Sequence, residues 1–343
     1  MPDTLLLHVD SPDAPGISAA AEILKNGGTA AIPTETVYGL AADGMNPDAV
    51  AKIFKAKGRP QDNPLILHIA ELDWLGRVAA KIPDDAKKLA DAFWPGPLTM
   101  ILPKRPEVPY AVTAGLETVA VRFPSHPIAH AIIAAAGTPL AAPSANLSGR
   151  PSPTSWRHCA EDLTGRVDAI VCAGDCEVGL ESTVVTLAGD IPRLLRPGGV
   201  TAEQLRGVLG RLEIDDAVLN ALAPGAVAAS PGMKYKHYAP KASVVIVDAD
   251  PDGYAEYVNA NSGDGVFALC FDEDIPKLKT PYISCGGAGD ESAHAHRLFN
   301  ALRELDERGA KIAYARKPSS SGVGLAVYNR LLRAAGFNIV KPQ

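Results

Sequence analysis

The stretch AAIPTETVYGL, residues 30–40, joins an apolar run to a turn rich in hydroxyl groups. Residues 30–33 predict a short buried strand, and the proline that ends it is followed closely by Thr34 and Thr36. The simplest interpretation is that the threonines cap a turn from this strand into a helix. The alternative is that the turn presents their hydroxyl groups to a ligand.

Short apolar runs recur through the first 210 residues and alternate with helical stretches. Strands are predicted at residues 30–33, 64–69, 119–123, 140–142, 183–187 and 194–196, and helices at residues 48–57 and 128–136. The first helix has clear ends, because Asn46 can cap it, Pro47 suits its first turn and Gly58 can stop it. This alternation predicts an α/β sheet fold.

Residues 213–241 differ in composition, because they are rich in alanine, proline and glycine and have weak periodicity. They predict a linker between a first domain at residues 1–212 and a second at residues 242–343. In the second domain, strands are predicted at residues 243–247, 266–270 and 311–315, and helices at residues 292–308 and 325–335. A smaller Rossmann-like α/β domain is therefore expected.

Composition and charge narrow the class of protein. A net charge of −6 argues against a general nucleic-acid coat or a binder of anionic membranes. No apolar run approaches the roughly 20 residues of a membrane helix, and no secretory signal is visible, so we expect a soluble cytoplasmic protein. The five cysteines are scattered and odd in number, which predicts neither a disulfide framework nor a metal site.

Four cations, Lys52, Lys55, Lys57 and Arg59, lie within eight residues at the end of the first predicted helix. The helix dipole favours cations at a C-terminus, which is one explanation for them. The other is a phosphate clamp, because arginine supplies a planar fork of donors and lysine a point charge. The residues alone leave both explanations open.

Two polar side chains interrupt apolar strands. His68 is predicted on the opposite face from the larger apolar residues of its strand, and a lone strand histidine is usually a core residue. Arg122 likewise faces away from the valines of its strand. It needs a partner, because burying an unpaired charge is very costly. That partner is either a carboxylate of the protein or a carboxylate of a substrate.

Hydroxyl groups, an amide and an arginine recur at predicted strand ends, where α/β sheets bind ligands. These residues are Ser144, Asn146, Ser152, Ser182 and Arg196. Capping of turns is the alternative role for Ser144 and Asn146. Neither a Walker A pattern nor a spaced GxGxxG occurs, so a nucleotide-binding site here would need a different kind of phosphate-binding element.

At these residues the sequence resembles the YrdC-like threonylcarbamoyl-AMP synthases, in their longer two-domain form. The similar segments are residues 25–46, 53–69, 93–102, 119–127, 139–154, 179–187 and 194–199, with residues 230–242 and 322–335 resembling the extra region of the longer form. The signature combines Lys57 and Arg59 with Ser144 and Asn146. The resemblance implies a twisted mixed sheet with flanking helices, plus the smaller Rossmann-like domain.

The reaction implied by this resemblance consumes L-threonine, carbon dioxide or bicarbonate, and ATP. It yields threonylcarbamoyl-AMP, also called threonylcarbamoyl-adenylate, and pyrophosphate, as the first step of a tRNA modification. Mg²⁺ is the expected counterion of the ATP phosphates, and no tightly bound cofactor is expected. The expected recipient of the product is the tRNA threonylcarbamoyl transferase machinery, and weak binding of tRNA by the chain is compatible with this role. No association with membranes is expected.

The resemblance also implies individual roles. L-threonine would be held by Thr36, His68, Arg122 and Ser182, with Arg122 pairing the substrate carboxylate. ATP would be held by Arg59, Asn63, Thr118, Ser144, Asn146, Ser152, Arg196 and Tyr235. Lys57 and Arg59 are the expected catalytic residues, with Lys57 stabilising the phosphates or the developing charge. The linker, which contains Tyr235, would close over the site as a lid that excludes water.

Two rival functions belong to other classes. One is a module that binds tRNA or other RNA, which the acidic net charge and the lack of an aromatic-rich RNA motif disfavour. The other is an adenylating enzyme that uses carbamoyl phosphate. By resemblance such enzymes usually carry hydrolase and zinc-finger modules, for which the cysteine pattern gives no support. The two enzymatic functions are distinguished by whether pyrophosphate release requires threonine and bicarbonate or carbamoyl phosphate.

Overall fold

The computed structural model describes residues 3–221 and 237–342. Within these ranges the chain forms two compact units. The first comprises residues 3–148 and 152–218, and the second comprises residues 149–151, 219–221 and 237–342. Tyr235 and most of the segment predicted as a lid lie outside the described residues. The domain boundary and the lid stay predictions.

The first unit alternates strands and helices, as the apolar periodicity predicts. Its strands are β1 (Leu5–His8), β2 (Ala30–Ile32), β3 (Gly39–Asp43), β4 (Ile66–His68), β5 (Leu98–Pro103), β6 (Thr118–Arg122), β7 (Leu140–Ala141), β8 (Ala169–Cys172), β9 (Thr183–Thr186), β10 (Arg193–Arg196) and β11 (Glu213–Ile214). Its helices are α1 (Pro15–Lys25), α2 (Pro47–Lys57), α3 (Leu75–Val78), α4 (Asp84–Phe93), α5 (Tyr110–Thr113), α6 (Pro127–Ala136), α7 (Trp156–Leu163) and α8 (Ala202–Leu209).

These strands form one mixed sheet, in the order β1-β8-β2-β3-β7-β4-β6-β5-β9-β10-β11. Parallel pairs such as β4 with β6 alternate with antiparallel pairs such as β6 with β5. The mixed α/β sheet is thus confirmed. The six predicted strands correspond to β2, β4, β6, β7, β9 and β10, whereas β1, β3, β5, β8 and β11 were not predicted.

The sheet buries both faces of its central strands. Leu67 and Val121 belong to the main apolar core of the first unit. Ile66 and Ala120, their neighbours along the chain, belong to a second, smaller apolar cluster. The predicted alternation of faces in β4 and β6 is therefore confirmed. His68 and Arg122 follow the period of the smaller cluster.

The ends of α2 are those that its sequence predicts. The Asn46 side chain accepts hydrogen bonds from the backbone N–H groups of Asp48 and Ala49, at 3.0 and 3.3 Å. Gly58 ends the helix in the left-handed region, with a φ of 63°, which glycine adopts without steric cost. Lys57 is consequently the last residue of α2, at a position set by local capping.

Residues 213–218 pack against the first sheet. Residues 213–218, which the composition assigned to the linker, form β11 and a 3₁₀ turn at Asp216–Val218. β11 pairs in parallel with β10, and Ala217 and Val218 are buried. Backbone pairing with a neighbouring strand supplies the order that weak periodicity does not predict.

The second unit is a smaller parallel sheet with its own helices. It contains β12 (Ser243–Val247), β13 (Val266–Cys270), β14 (Tyr282–Ser284), β15 (Ile312–Arg316), β16 (Ile339–Val340), α9 (Pro251–Ala260), α10 (Glu291–Glu307) and α11 (Gly324–Ala334). The strand order is β14-β13-β15-β12-β16, and every pair is parallel. This arrangement agrees with the Rossmann-like expectation. Among the described helices of the chain, none is long and apolar enough to cross a bilayer.

Candidate active site

One row of residues crosses five neighbouring strands of the first sheet. His68 pairs in register with Arg122, Arg122 with Thr99, Thr99 with Val184, and Val184 with Arg196. Residues in register on adjacent strands share a face of the sheet. Four polar side chains, contributed by β4, β6, β5 and β10, therefore lie on the face of the smaller apolar cluster.

Ser182 lies two residues before Val184, and the arginine of β10 holds it. Arg196 donates from Nε to the Ser182 carbonyl at 3.0 Å and from Nη2 to its hydroxyl at 3.2 Å. The Ser182 hydroxyl also lies 2.7 Å from the hydroxyl of Thr99. We did not predict Thr99, although a hydroxyl within the apolar run of residues 98–102 was an available signal.

Arg122 has a carboxylate partner from the protein itself. Its Nη2 lies 2.8 Å from Glu35 Oε1, its Nη1 donates to Thr36 Oγ1 at 2.8 Å, and its Nε donates to the Gly96 carbonyl at 3.4 Å. Arg122 is 4% exposed and Glu35 is 3% exposed. Of the two partners that the sequence left open, a protein carboxylate is the one present. Sequence reasoning missed Glu35, although it stands between the two threonines of the opening stretch.

The ion pair keeps Glu35 ionised in spite of its burial. Burial acts to raise the pKa of Glu35, but the Arg122 guanidinium and backbone N–H groups lower it by more. The pKa therefore lies below its ordinary value. A fixed pair of opposite charges results, one strand away from His68.

His68 is a buried neutral imidazole. Burial, followed by the positive charge of Arg122, lowers the pKa of His68 to about 3. Its Nδ1 lies 3.2 Å from the Ile66 carbonyl oxygen. At neutral pH the side chain thus offers a hydrogen bond and no charge to whatever binds beside it.

The turn in residues 34–38 divides its two threonines between two roles. Thr34 Oγ1 donates to the Val37 carbonyl at 2.6 Å and accepts from the Thr36 N–H at 3.2 Å, so it stabilises the turn. The turn leads into β3, which pairs antiparallel with β2. The expected strand-to-helix turn was therefore wrong, because the chain reverses to pair with its own preceding strand. Thr36 instead accepts from Arg122.

Lys57 connects the two signature elements. Its Nζ donates to the carbonyls of Ser144 and Asn146 at 2.5 and 2.8 Å, and to Asn146 Oδ1 at 3.3 Å. Ser144 Oγ donates to the same Oδ1 at 2.6 Å. Lys57 is 3% exposed, so it is not a surface cation whose role is to interact with the helix dipole. No helix begins directly after Asn146, so Asn146 does not act as a helix cap.

Burial, followed by the charge of Arg59, lowers the pKa of Lys57 to about 7. The three oxygen acceptors around Nζ act in the opposite sense, because they stabilise the ammonium form. Asp162 of α7 adds a negative charge nearby, and its Oδ2 accepts from the Leu147 N–H at 3.2 Å. We did not predict Asp162, which is 3% exposed and supports the loop that binds Lys57 through this hydrogen bond.

The remaining residues expected to bind ATP differ in their surroundings. Asn63 is fully buried, and neither its Oδ1 nor its Nδ2 has a hydrogen-bond partner within residues 3–221 and 237–342. Thr118 begins β6, four residues before Arg122, which is roughly 13 Å along a strand. Ser152 donates to Glu181 Oε1 at 2.5 Å. Arg59 is half-buried just beyond α2.

Resident metal binding has little support in the described residues. They contain no group of three or more histidine, cysteine or acidic side chains that could hold a metal ion. All five cysteines are buried, and none of them forms a disulfide within the described residues.

A mixed sheet buries arginines and hydroxyl groups along one face, and a lysine is buried against the loop after β7. Such an arrangement is typical of an α/β protein that binds a small ligand with anionic groups. Two family models match the chain. Residues 22–198 match the Sua5/YciO/YrdC model, described as telomere recombination, and residues 200–336 match the C-terminal domain of threonylcarbamoyl-AMP synthase. The chain belongs to the threonylcarbamoyl-AMP synthase family, in its two-domain form.

Individual relatives agree with this assignment. The threonylcarbamoyl-AMP synthase of Bacillus subtilis is 45% identical over 335 residues, which cover 96% of each chain. The crystal structure of Sua5 from P. abyssi complexed with L-threonine is 42% identical, with a TM-score of 0.91 over 99% of this chain and 100% of that one. A putative threonylcarbamoyl-AMP synthase of Mycobacterium tuberculosis is 36% identical over 195 residues, 57% of this chain and 89% of the relative.

Proposed function

We propose that this chain forms threonylcarbamoyl-AMP and pyrophosphate from L-threonine, carbon dioxide or bicarbonate, and ATP. The observation that carries the proposal is the convergence of buried Lys57 with the loop of Ser144 and Asn146. This network supports a phosphate site, because it holds a lysine ammonium beside hydroxyl and amide groups. The relative crystallised with L-threonine supports the amino-acid substrate.

The amino acid binds along the row that crosses the sheet. Arg122 pairs the substrate carboxylate, since a guanidinium presents parallel donors to such a group. Thr36 and Ser182 add hydroxyl groups, and neutral His68 adds a hydrogen bond. Burial of all four side chains supports this role, because charge-assisted bonds strengthen where water is excluded.

ATP binds beside Lys57. The carbamate oxygen of the modified threonine attacks the α-phosphorus, and pyrophosphate leaves. Such chemistry depends on positioning and on neutralising the phosphate charge, which is the role of Lys57 and Arg59. Thr118, Ser144, Asn146, Ser152 and Arg196 assist in holding the nucleotide. Asn63 would gain partners for its buried amide from such a ligand.

Mg²⁺ enters with the ATP phosphates. This ion would be held mainly by the substrate phosphates and by water, and it would neutralise part of the phosphate charge. The linker with Tyr235 closes over the nucleotide and protects the labile product from water. The product then passes, in the cytoplasm, to the machinery that transfers the threonylcarbamoyl group to tRNA.

The test is a turnover assay with Mg²⁺, ATP labelled at the α-phosphate, bicarbonate and L-threonine. Product adenylate and pyrophosphate should form only when both small substrates are present. Lys57→Ala and Arg122→Ala should each lower turnover roughly 100-fold or more, because each removes a charge that stabilises the reacting groups. Deletion of residues 230–241 should lower it as well.

Lys87→Ala is the matched control. Lys87 is an exposed cation with a surface partner, Asp84, at 2.9 Å, so its loss should leave turnover unchanged. Folded protein with no threonine-dependent turnover would overturn the proposal. Turnover with carbamoyl phosphate, or salt-sensitive tRNA binding without turnover, would favour one of the rival functions. Full activity after deletion of residues 230–241 would contradict their role as a lid.

A further inference from the structure

The buried pair of Glu35 and Arg122 has a second feature beyond the positioning of the arginine. A guanidinium has five N–H donors. Three contacts engage it, with Glu35, Thr36 and the Gly96 carbonyl. Two donors remain for a carboxylate of the substrate. A carboxylate bound to Arg122 therefore lies next to the carboxylate of Glu35, which is 2.8 Å from the same guanidinium.

The pair itself carries no net charge before any ligand binds. Arg122 contributes one positive charge and Glu35 one negative charge. His68 is neutral, since burial and then Arg122 lower its pKa to about 3. Burial lowers the pKa of His126 and raises that of the Cys176 thiol, so both favour their neutral forms. Arg122 is the charged group that acts on the pKa of Glu35, so the ion pair itself carries no net charge.

A ligand that carries only a carboxylate would disturb this balance. It would leave a net negative charge in a place where Glu35 and Arg122 are both less than 5% exposed, which is costly. A zwitterion adds one charge of each sign and keeps the sum at zero. In an α-amino acid the two charged groups are separated by a single carbon atom, so they can lie beside two adjacent protein charges of the opposite signs.

We propose that Glu35 binds the α-ammonium group of the amino-acid substrate while Arg122 binds its carboxylate. Glu35 is then the residue that selects α-amino acids over carboxylic acids of similar shape. This inference rests on the proposed function, since it assumes that L-threonine binds at Arg122. Under this inference Glu35, which stands between Thr34 and Thr36, binds the substrate together with Thr36.

The experiment compares two ligands on two proteins by calorimetric titration at pH 7. The ligands are L-threonine and the 2,3-dihydroxybutanoate of matching stereochemistry, in which a hydroxyl group replaces the amine. The wild-type chain should bind threonine at least about tenfold more tightly, because only threonine pairs with Glu35. Glu35→Gln should weaken threonine binding about tenfold or more, and it should not weaken binding of the hydroxy acid, because it removes the negative charge that opposes a ligand with only a carboxylate.

A purely structural role for Glu35 gives a different result, since both ligands would then lose affinity equally in Glu35→Gln. That outcome would overturn the inference. Glu35→Asp keeps the negative charge and should retain part of the preference for threonine, whereas Glu71→Gln changes an exposed acid and should retain all of it. If the Gln variant does not fold, the wild-type chain still decides, because equal affinity for both ligands contradicts the inference. A wild-type chain that binds no threonine contradicts the proposed function itself.

Discussion

Lys57, His68 and Arg122 are all buried, yet they carry different charges. Arg122 keeps its charge beside Glu35, and His68 loses its charge because burial and the same arginine disfavour the imidazolium. Lys57 lies between these cases, with a pKa of about 7 and three oxygen acceptors around its Nζ. At the residue scale, the immediate surroundings of each side chain therefore set its protonation.

His68 should make the protein sensitive to acid. Its pKa is about 3 in the folded chain and roughly 6.5 in an unfolded one, so the unfolded state binds an extra proton between these values. Its contribution to the free energy of unfolding is complete above pH ~6.5 and declines by about 1.4 kcal/mol per pH unit below it. His68→Gln should lose this component of the pH dependence.

Urea unfolding at pH 7, 6 and 5 measures this effect. The relevant quantity is the slope of the free energy of unfolding against pH, because the substitution also changes the absolute stability. In the variant, this slope should be smaller by up to the amount that corresponds to one bound proton, about 1.4 kcal/mol per pH unit. An identical slope in the wild type and His68→Gln would show that His68 is protonated in the folded chain, contrary to its burial.

At the scale of elements, loops that end strands determine where the polar groups meet. The loop after β7 accepts Lys57 from the end of α2, and the Ser148 N–H donates to the Lys57 carbonyl at 3.0 Å. The turn after β10 packs against the backbone that carries Ser182. A Cβ added at Gly198 would lie 2.4 Å from the Thr183 nitrogen and 2.7 Å from the Glu181 carbonyl oxygen. Only glycine permits this approach.

Gly198→Ala should therefore destabilise the chain by about 2 kcal/mol or more, because backbone atoms must move to relieve the clash. It should also weaken binding of threonine, since the displaced segment holds Ser182. The matched control is Gly207→Ala within α8, where an added Cβ meets nothing within 4 Å. That change should stabilise the chain by about 0.5–1 kcal/mol, because glycine disfavours a helix interior. Thermal and urea unfolding of both variants measure the difference, and equal effects of the two would contradict the argument.

At the scale of the whole molecule, the chain combines two units, each with its own sheet and apolar cluster. The mycobacterial relative is shorter than this chain, since its 195 aligned residues cover 89% of its own length and 57% of this chain. The first unit therefore has the size of a complete family member. Burial of Ala217 and Val218 indicates that this unit continues past residue 212.

A chain shortened to residues 1–218 should fold cooperatively, because the first unit contains its own core. A chain shortened to residues 1–212 should be less stable by about 2 kcal/mol, since it loses β11 and the burial of Val218. Thermal unfolding followed by circular dichroism compares the two. Equal midpoints would mean that residues 213–218 contribute nothing to the first unit and belong to the linker, as their composition suggests.

Local patterns accounted for much of the architecture. The ends of α2, the alternation of faces in β4 and β6, and six strands of the first sheet follow from capping and periodicity, which involve residues close in sequence. Strands such as β1 and β8 lacked a signal strong enough to separate them from other short apolar segments. The roles assigned to individual site residues came from family resemblance, and they stay predictions.

The sequence by itself determined the α/β class, the two-unit organisation and the list of side chains able to bind a ligand or take part in catalysis. These depend on composition, on the periodicity of apolar residues and on motifs. Only the tertiary structure decided which of those residues meet. Arg122 contacts Thr36 across 86 positions and Lys57 contacts Ser144 across 87, each through strands and loops that local pattern does not connect. Glu35 became the partner of Arg122 for the same reason. Pairing over such separations depends on strand order and register, which are properties of the assembled sheet.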